Sequence, residues 1–298
     1  MTGTSSRLAL GTVQFGLPYG LGNPEAAVPR KEVEKILALA WERGIDTLDT
    51  AADYGDAEHV IGLARPANAS FKIVSKAPRI GKDEIAQSDL DAVSASAGRS
   101  LERLKVSALD SILVHYAPDL LARGGDKLFA ALRAVRERGL TKRIGVSVYD
   151  PETLATLLAR FPIDIVQLPV NLLDQRFERS GMLAELMRRN VEVHVRSVFL
   201  QGALLMGDNL PRHLAAAGPK IGMLRDEAKR RGVGPATLAL AYPANLTAVS
   251  RIVIGVQRAD ELAANTGAFA AAAALAGFDA AAYSVDDPAI IDPRRWNG

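Results

Sequence analysis

Four titratable side chains of four different types stand at, or just past, the ends of apolar, β-branched runs: Asp49, Tyr54, Lys76 and His115. Singly, each has an ordinary explanation. An Asp after a strand often caps a helix or makes a turn. A loop Tyr packs as an amphipathic ring, a strand-end Lys is solvated, and a lone His ends as a satisfied core residue. Together they compose a proton-transfer site. A phenol titrates near 10 and is a poor acid at neutral pH unless a cation favours its anion. Lys76 would supply that cation, and Asp49 would hold the ammonium and offset part of its burial cost. Tyr54 would then give its proton to a carbonyl oxygen as hydride reaches the carbon. His115 would hydrogen-bond the same oxygen. Proton transfer of this kind accelerates a reaction roughly 100- to 10,000-fold.

These residues can meet only if their strands are neighbours. Strands are expected at Leu8–Thr12, Ile45–Asp49, Phe71–Lys76, Leu109–His115, Arg143–Ser147, Ile163–Leu168, Val191–Arg196 and Arg251–Gly255. Helical patterns fall between them, at Lys31–Arg43, Ala57–Ala64, Asp89–Leu104, Asp126–Arg138, Pro151–Arg160, Ser180–Arg189, Lys220–Arg231 and Pro235–Ala244. In the first, Val33, Ile36, Leu37, Ala40 and Trp41 have the spacing of one buried face, and Gly44 follows as a stop. Near-continuous apolar strands alternating with helices read as a parallel sheet covered on its outside. Eight such units suggest a closed (β/α)8 TIM barrel, whose active site collects at the C-terminal strand ends. An open dinucleotide-binding sheet would want G-x-G-x-x-G after the first strand. Gly11, Gly16, Gly20 and Gly22 lack that spacing and read as a flexible loop. No Pro-, Gly- or Ser-rich linker divides the chain, so one domain is expected over residues 1–298. Its tail, from about 268, would lie near the substrate side. The alanine-rich stretch Ala268–Ala276 reads as helix.

Composition removes several function classes. Lys plus Arg number 36 against 34 Asp plus Glu, interspersed, so nothing calls for nucleic acid or a membrane surface. There are no cysteines, which excludes disulfides, a thiolate nucleophile and Cys-based metal sites. No apolar run approaches bilayer length and Met1–Arg7 has no signal core, so a cytoplasmic location is expected. His59, His194 and His213 have no metal-ligand spacing, and no metal is expected.

The run Gly44-Ile-Asp-Thr-Leu-Asp49-Thr-Ala-Ala-Asp-Tyr54-Gly-Asp-Ala-Glu58, continuing to Ile61-Gly62, resembles the aldo-keto reductase signature. Val74-Ser-Lys76 and Leu113-Val-His115 are similar to that family's Lys and His motifs. Arg143-Ile-Gly-Val-Ser147 and Asp164-Ile-Val-Gln167 resemble cofactor-side motifs, and Ile254-Gly255-Val-Gln257-Arg258 with Glu261, Leu262 and Asn265 resembles the segment gripping the adenosine phosphate. The resemblance runs in order from about residue 8 to 268. It implies a (β/α)8 barrel binding NADP(H), with NAD(H) as the alternative, and reversible reduction of an aldehyde or ketone. It implies Asp49, Tyr54, Lys76 and His115 as catalytic tetrad. Ser147 and Gln167 would hold the nicotinamide carboxamide, Arg196 and Ser197 would lie beside the ring, and Gly255, Gln257, Arg258, Glu261 and Asn265 would face the adenosine end.

Three positions depart from the family. Val148 stands where Asn commonly follows the Ser. Arg196 stands where an aromatic ring commonly underlies the nicotinamide, and reads either as a cofactor platform or as an anion-binding group. Gly255 stands where a Lys is common, leaving Arg258 as the evident cation for a 2′-phosphate. Specificity is expected from Phe15–Asn23, Tyr116–Gly125, Leu200–Gly218 and the tail beyond Phe278, with Tyr19, Leu21, Leu204, Leu205, Met206, Tyr283 and Trp296 as candidates against a small-molecule carbonyl substrate. A nicotinamide-binding regulatory subunit and a lyase or isomerase barrel are the rival readings. An intact tetrad argues against the first, and the missing phosphate grip and metal ligands against the second.

Overall fold

The computed structural model describes residues 7–22, 25–273, 275 and 278–296. Eight parallel strands close into a barrel in the order β1 to β8, with β1 paired to β8. They are β1 Leu8–Gly11, β2 Thr47–Asp49, β3 Lys72–Ala77, β4 Leu109–Val114, β5 Thr141–Ser147, β6 Ile165–Pro169, β7 Glu192–Arg196 and β8 Arg251–Gly255. The first helices are α1 Arg30–Glu42, α2 Ala57–Ala64, α3 Gln87–Leu104, α4 Gly125–Glu137 and α5 Pro151–Arg160. Then come α6 Arg176–Arg179, α7 Met182–Arg188, α8 Gly218–Arg231, α9 Pro235–Asn245, α10 Ala259–Ala272 and α11 Pro288–Ile291. The eight expected strands form, with ends shifted by up to two residues. Ala274 and Ala276 of the alanine-rich stretch, and Asn23 of the first loop, lie outside the described residues.

The helices bury the stripes that their spacing dictates. In α1 Val33, Ile36, Leu37 and Ala40 are buried, and Gly44 leaves the helix at φ +76°. Helix α5 begins on Pro151, and its cap Asp150 accepts from the Thr153 N–H at 2.7 Å. Glu58 on α2 is buried as a clamp: it accepts from Ser75 of β3 at 2.7 Å and Ser100 of α3 at 3.0 Å. A Cβ at Gly62 would lie 1.9 Å from the Arg103 carbonyl oxygen, so the backbones of α2 and α3 touch there. The signature's Glu58 and Gly62 thus hold the barrel wall behind the site.

One of the β1 loop glycines is held by close packing. A Cβ at Gly16 would sit 1.9 Å from the Tyr54 carbonyl oxygen and 2.4 Å from the Ala57 nitrogen. The β1 loop is therefore pressed against the turn that carries Tyr54. Gly55 completes that turn at φ +53°. At the opposite, N-terminal face, Arg143 pairs with both Asp110 and Glu192, and His194 meets Glu192 at 2.7 Å. That face reads as stability.

Candidate active site

Register brings the four expected side chains to one end of the barrel. Asp49 ends β2, Lys76 lies near the end of β3 and His115 follows β4 directly. Lys76 is 1% exposed, yet it is fully satisfied. Its ammonium donates to both Asp49 carboxylate oxygens and to the Thr50 carbonyl, all at 2.9 Å. Gln167 of β6, also buried, donates from Nε2 to Asp49 Oδ1 at 2.6 Å. Tyr54 lies above this cluster: the Lys76 nitrogen is 4.8 Å from its ring centroid, and the His115 ring meets it edge-on at 5.6 Å.

Burial, then the Asp49 carboxylate, push the Tyr54 hydroxyl well above the ordinary phenol range. The cation that pulls against them is Arg196. Lys76 spends its protons on Asp49 and Thr50, while burial lowers its own affinity for a proton and Asp49 offsets part of that loss. Arg196 adds a second positive charge near the phenol, beside the Lys76 ammonium 4.8 Å from the ring centroid.

Arg196 ends β7 and lines the cleft. Its guanidinium covers the Tyr149 ring at 4.0 Å and donates to the Val148 carbonyl at 3.0 Å and to Ser197 Oγ at 3.3 Å. Arg294, from the tail, covers the same ring at 3.8 Å and is held by Asp292. Tyr149 is thus sandwiched between two guanidiniums. Spacing carried no signal for it, because Arg294 is 145 residues away along the chain. Sequence reading also missed Asp53. Its carboxylate lies 3.6 Å from His115 Nδ1, and the His115 ring, with the Arg79 N–H, holds it below the usual carboxylate range.

A cleft of about 420 Å³ runs from Asp49 and Tyr54 along the ends of β7, β1 and β8 to α10. Arg196, Ser197, Gly255, Gln257, Glu261 and Asn265 line it as expected, and so do Tyr19 and Leu205. Ser197, Leu200 and Gln201 all adopt positive φ in the β7 loop, the kind of backbone strain that gathers at binding sites. The Leu21 N–H donates to the Gln201 carbonyl at 3.0 Å, tying the β1 and β7 loops together. Ser147 and Gln167 are buried side by side in register beneath Asp49, off the cleft wall. Gln167 Oε1 has no partner. A buried amide oxygen left without a donor fits a ligand carboxamide N–H.

Other expectations are not met. Arg258 does not line the cleft; it pairs with Asp260 at 2.9 Å and Glu261 at 3.0 Å. Tyr283 packs on Phe278, and Trp296 on His213, so neither reaches the cleft. Leu204 is buried in the core. Among the described residues no group of His, Cys, Asp and Glu is arranged to hold a metal, and no helix is long and apolar enough to cross a membrane.

Comparison with known proteins agrees with this geometry. D-arabinose 1-dehydrogenase of Saccharomyces cerevisiae is 33% identical over 141 residues, spanning 43% of this chain and 40% of that protein. Pyridoxal 4-dehydrogenase of Microbacterium luteolum is 26% identical over 313 aligned positions, covering 88% of this chain and 89% of that one. An aldo/keto reductase of Klebsiella pneumoniae, solved with NADP and acetate, superposes with a TM-score of 0.67 at 22% identity, over 89% of this chain and 86% of its own. Residues 7–275 match the aldo/keto reductase family, and the chain belongs to it.

Proposed function

We propose that this protein is a nicotinamide-dependent oxidoreductase interconverting an aldehyde or ketone and its alcohol, with Tyr54 as the proton donor. The observation that carries the reading is the cluster under the cleft: a buried, fully satisfied Asp49–Lys76 pair beneath Tyr54, beside a Gln167 whose Oε1 lacks a donor. When bound, the nicotinamide supplies or accepts the hydride.

The protein's own groups do the rest. Gln167 Oε1, an acceptor without a donor next to cleft-lining Asp49, is the group we assign to the carboxamide N–H, with Ser147 beside it in register. Tyr54, kept protonated by burial and by Asp49, gives its hydroxyl proton to the carbonyl oxygen. Arg196 stabilises the negative charge left on the phenolate. Lys76 fixes Asp49, and so fixes the polar floor under the ring. His115 orients the carbonyl oxygen by hydrogen bonding, and its contact with Asp53 sets the ring's position. In the alcohol direction the same proton returns to Tyr54. The names of the yeast and Microbacterium relatives, both dehydrogenases, favour that direction in the cell.

The test is a fluorescence titration with the reduced coenzymes followed by turnover of 4-nitrobenzaldehyde. Binding with turnover supports the reading. Binding with no turnover on a broad carbonyl panel favours the regulatory rival, and no binding of either coenzyme overturns the proposal.

A further inference from the structure

The cleft carries three charged side chains along its walls: Asp49 and Arg196 near Tyr54, and Glu261 at the α10 end. The α10 end therefore presents a carboxylate, not a cation. Arg258, the residue expected to meet a 2′-phosphate, is turned onto Asp260 and Glu261. On α1, whose Glu32 accepts from the Ala259 N–H, Lys35 is tied to Glu32 at 2.9 Å.

Two backbone donors at this end are also taken. A helix N-terminus ordinarily offers free N–H groups to a phosphate. Here the Ala259 N–H donates to Glu32 at 2.9 Å, and the Gln257 N–H donates to Glu261 Oε2 at 2.8 Å. Three carboxylates, Glu32, Asp260 and Glu261, face two cations, Arg258 and Lys35. The balance repels a phosphate dianion.

The same wall does offer acceptors. Glu261 keeps spare lone pairs on each oxygen, since a carboxylate accepts about four hydrogen bonds. Gln14, which lines the cleft beside Gly255, has a buried Oε1 with no partner. A Cβ at position 255 would lie 2.7 Å from that oxygen, so the Gln14 amide fills the space that a longer side chain there would need. Unpaired acceptors call for a ligand bearing donors. Ribose hydroxyls are donors; a 2′-phosphate bears acceptors only.

The structure assigns Glu261 and Gln14 as recognition groups for the free ribose hydroxyls of the adenosine moiety, making NAD(H) the preferred coenzyme over NADP(H). The assignment rests on the reading of the cleft as a nicotinamide dinucleotide site, and it reverses the preference expected from the family resemblance. Repulsion between a phosphate dianion and a partly exposed carboxylate separates the two affinities by about tenfold or more.

The experiment is equilibrium titration of the full chain with NADH and with NADPH, following coenzyme fluorescence at low and at high ionic strength. NADH is expected to bind at least about tenfold more tightly at low salt, with the gap narrowing as salt screens the repulsion. In Glu261→Gln the gap shrinks, chiefly through tighter NADPH binding, because one carboxylate is removed and Arg258 keeps only Asp260 as a partner. NADPH binding as tightly as NADH, or more tightly, in the unmodified protein overturns the assignment. So does a preference for NADH that neither salt nor Glu261→Gln reduces. Failure of both coenzymes to bind overturns instead the dinucleotide reading on which the assignment rests.

Discussion

The Lys76 ammonium grips both oxygens of Asp49 at 2.9 Å, with the Lys76 side chain 1% and the Asp49 side chain 7% exposed. A buried pair of this kind is weak evidence for stability, because desolvation offsets most of the attraction. Breaking it is another matter. Asp49→Asn leaves the Lys76 charge buried with one carbonyl and one amide oxygen in place of a carboxylate. The expected loss is about 3–5 kcal/mol of unfolding free energy. Urea unfolding followed by the fluorescence of Trp41 and Trp296 would measure it. A loss below about 1 kcal/mol would show that Lys76 is neutral in the folded protein, or that water reaches it.

Arg196 is expected to act on Tyr54 through its charge. It pulls the phenol down against burial and Asp49, so Arg196→Met pushes the hydroxyl higher still. A weaker acid gives a slower proton transfer: kcat for carbonyl reduction should fall about tenfold, and any alkaline limb of the rate profile should move to higher pH. A pH profile of unchanged shape, with only KM altered, would assign Arg196 to substrate binding alone.

Gly16 sets the position of Tyr54 through backbone contact. In Gly16→Ala the methyl group would arrive 1.9 Å from the Tyr54 carbonyl oxygen, so the turn carrying Tyr54 must shift. Overpacking of this kind costs about 1–3 kcal/mol of stability. A fall in kcat at nearly constant coenzyme affinity is expected with it. Unchanged kcat would mean that the turn relaxes without displacing the ring.

At the far face of the barrel, the His194 ring and the Arg143 guanidinium hold Glu192 at about 2, against an ordinary 4.5. A carboxylate with a depressed pKa stabilises the fold above its unfolded value. That contribution is fully present above pH 4.5 and is lost as pH falls from 4.5 towards 2. With Glu192 partly solvated, the contribution is on the order of 2 kcal/mol. Glu192→Gln should lower stability at pH 7 and flatten the decline between pH 5 and 3. An identical acid limb in the variant would place the titrating groups elsewhere.

The alternation of strands and helices was legible because parallel barrel strands are apolar on both faces and their helices carry regular stripes. Helix α10 was read only at its alanine-rich end, since Leu262 and Ala272 are its buried apolar residues and no stripe forms. The single-turn helices α6 and α11 are too short to show a period. At the site, Asp49, Tyr54, Lys76 and His115 were readable because each lies at the end of a strand or in the loop just after it. Charge compensation was readable for Lys76, which Asp49 holds as expected, and not for Arg258. Arg258 looked like a free cation until α10 placed Asp260 and Glu261 against it. Tyr149 joins strand ends and tail through stacking, which leaves no spacing in the chain.

The central claim is that Tyr54 gives the proton, and Tyr54→Phe tests it most directly. Removing the hydroxyl keeps the ring against His115 and above Lys76, so coenzyme affinity should stay within about twofold while kcat for 4-nitrobenzaldehyde falls by roughly 100- to 10,000-fold. Measured side by side with the unmodified protein, that combination supports the account. Full turnover in Tyr54→Phe would contradict it and move the proton donor to another group.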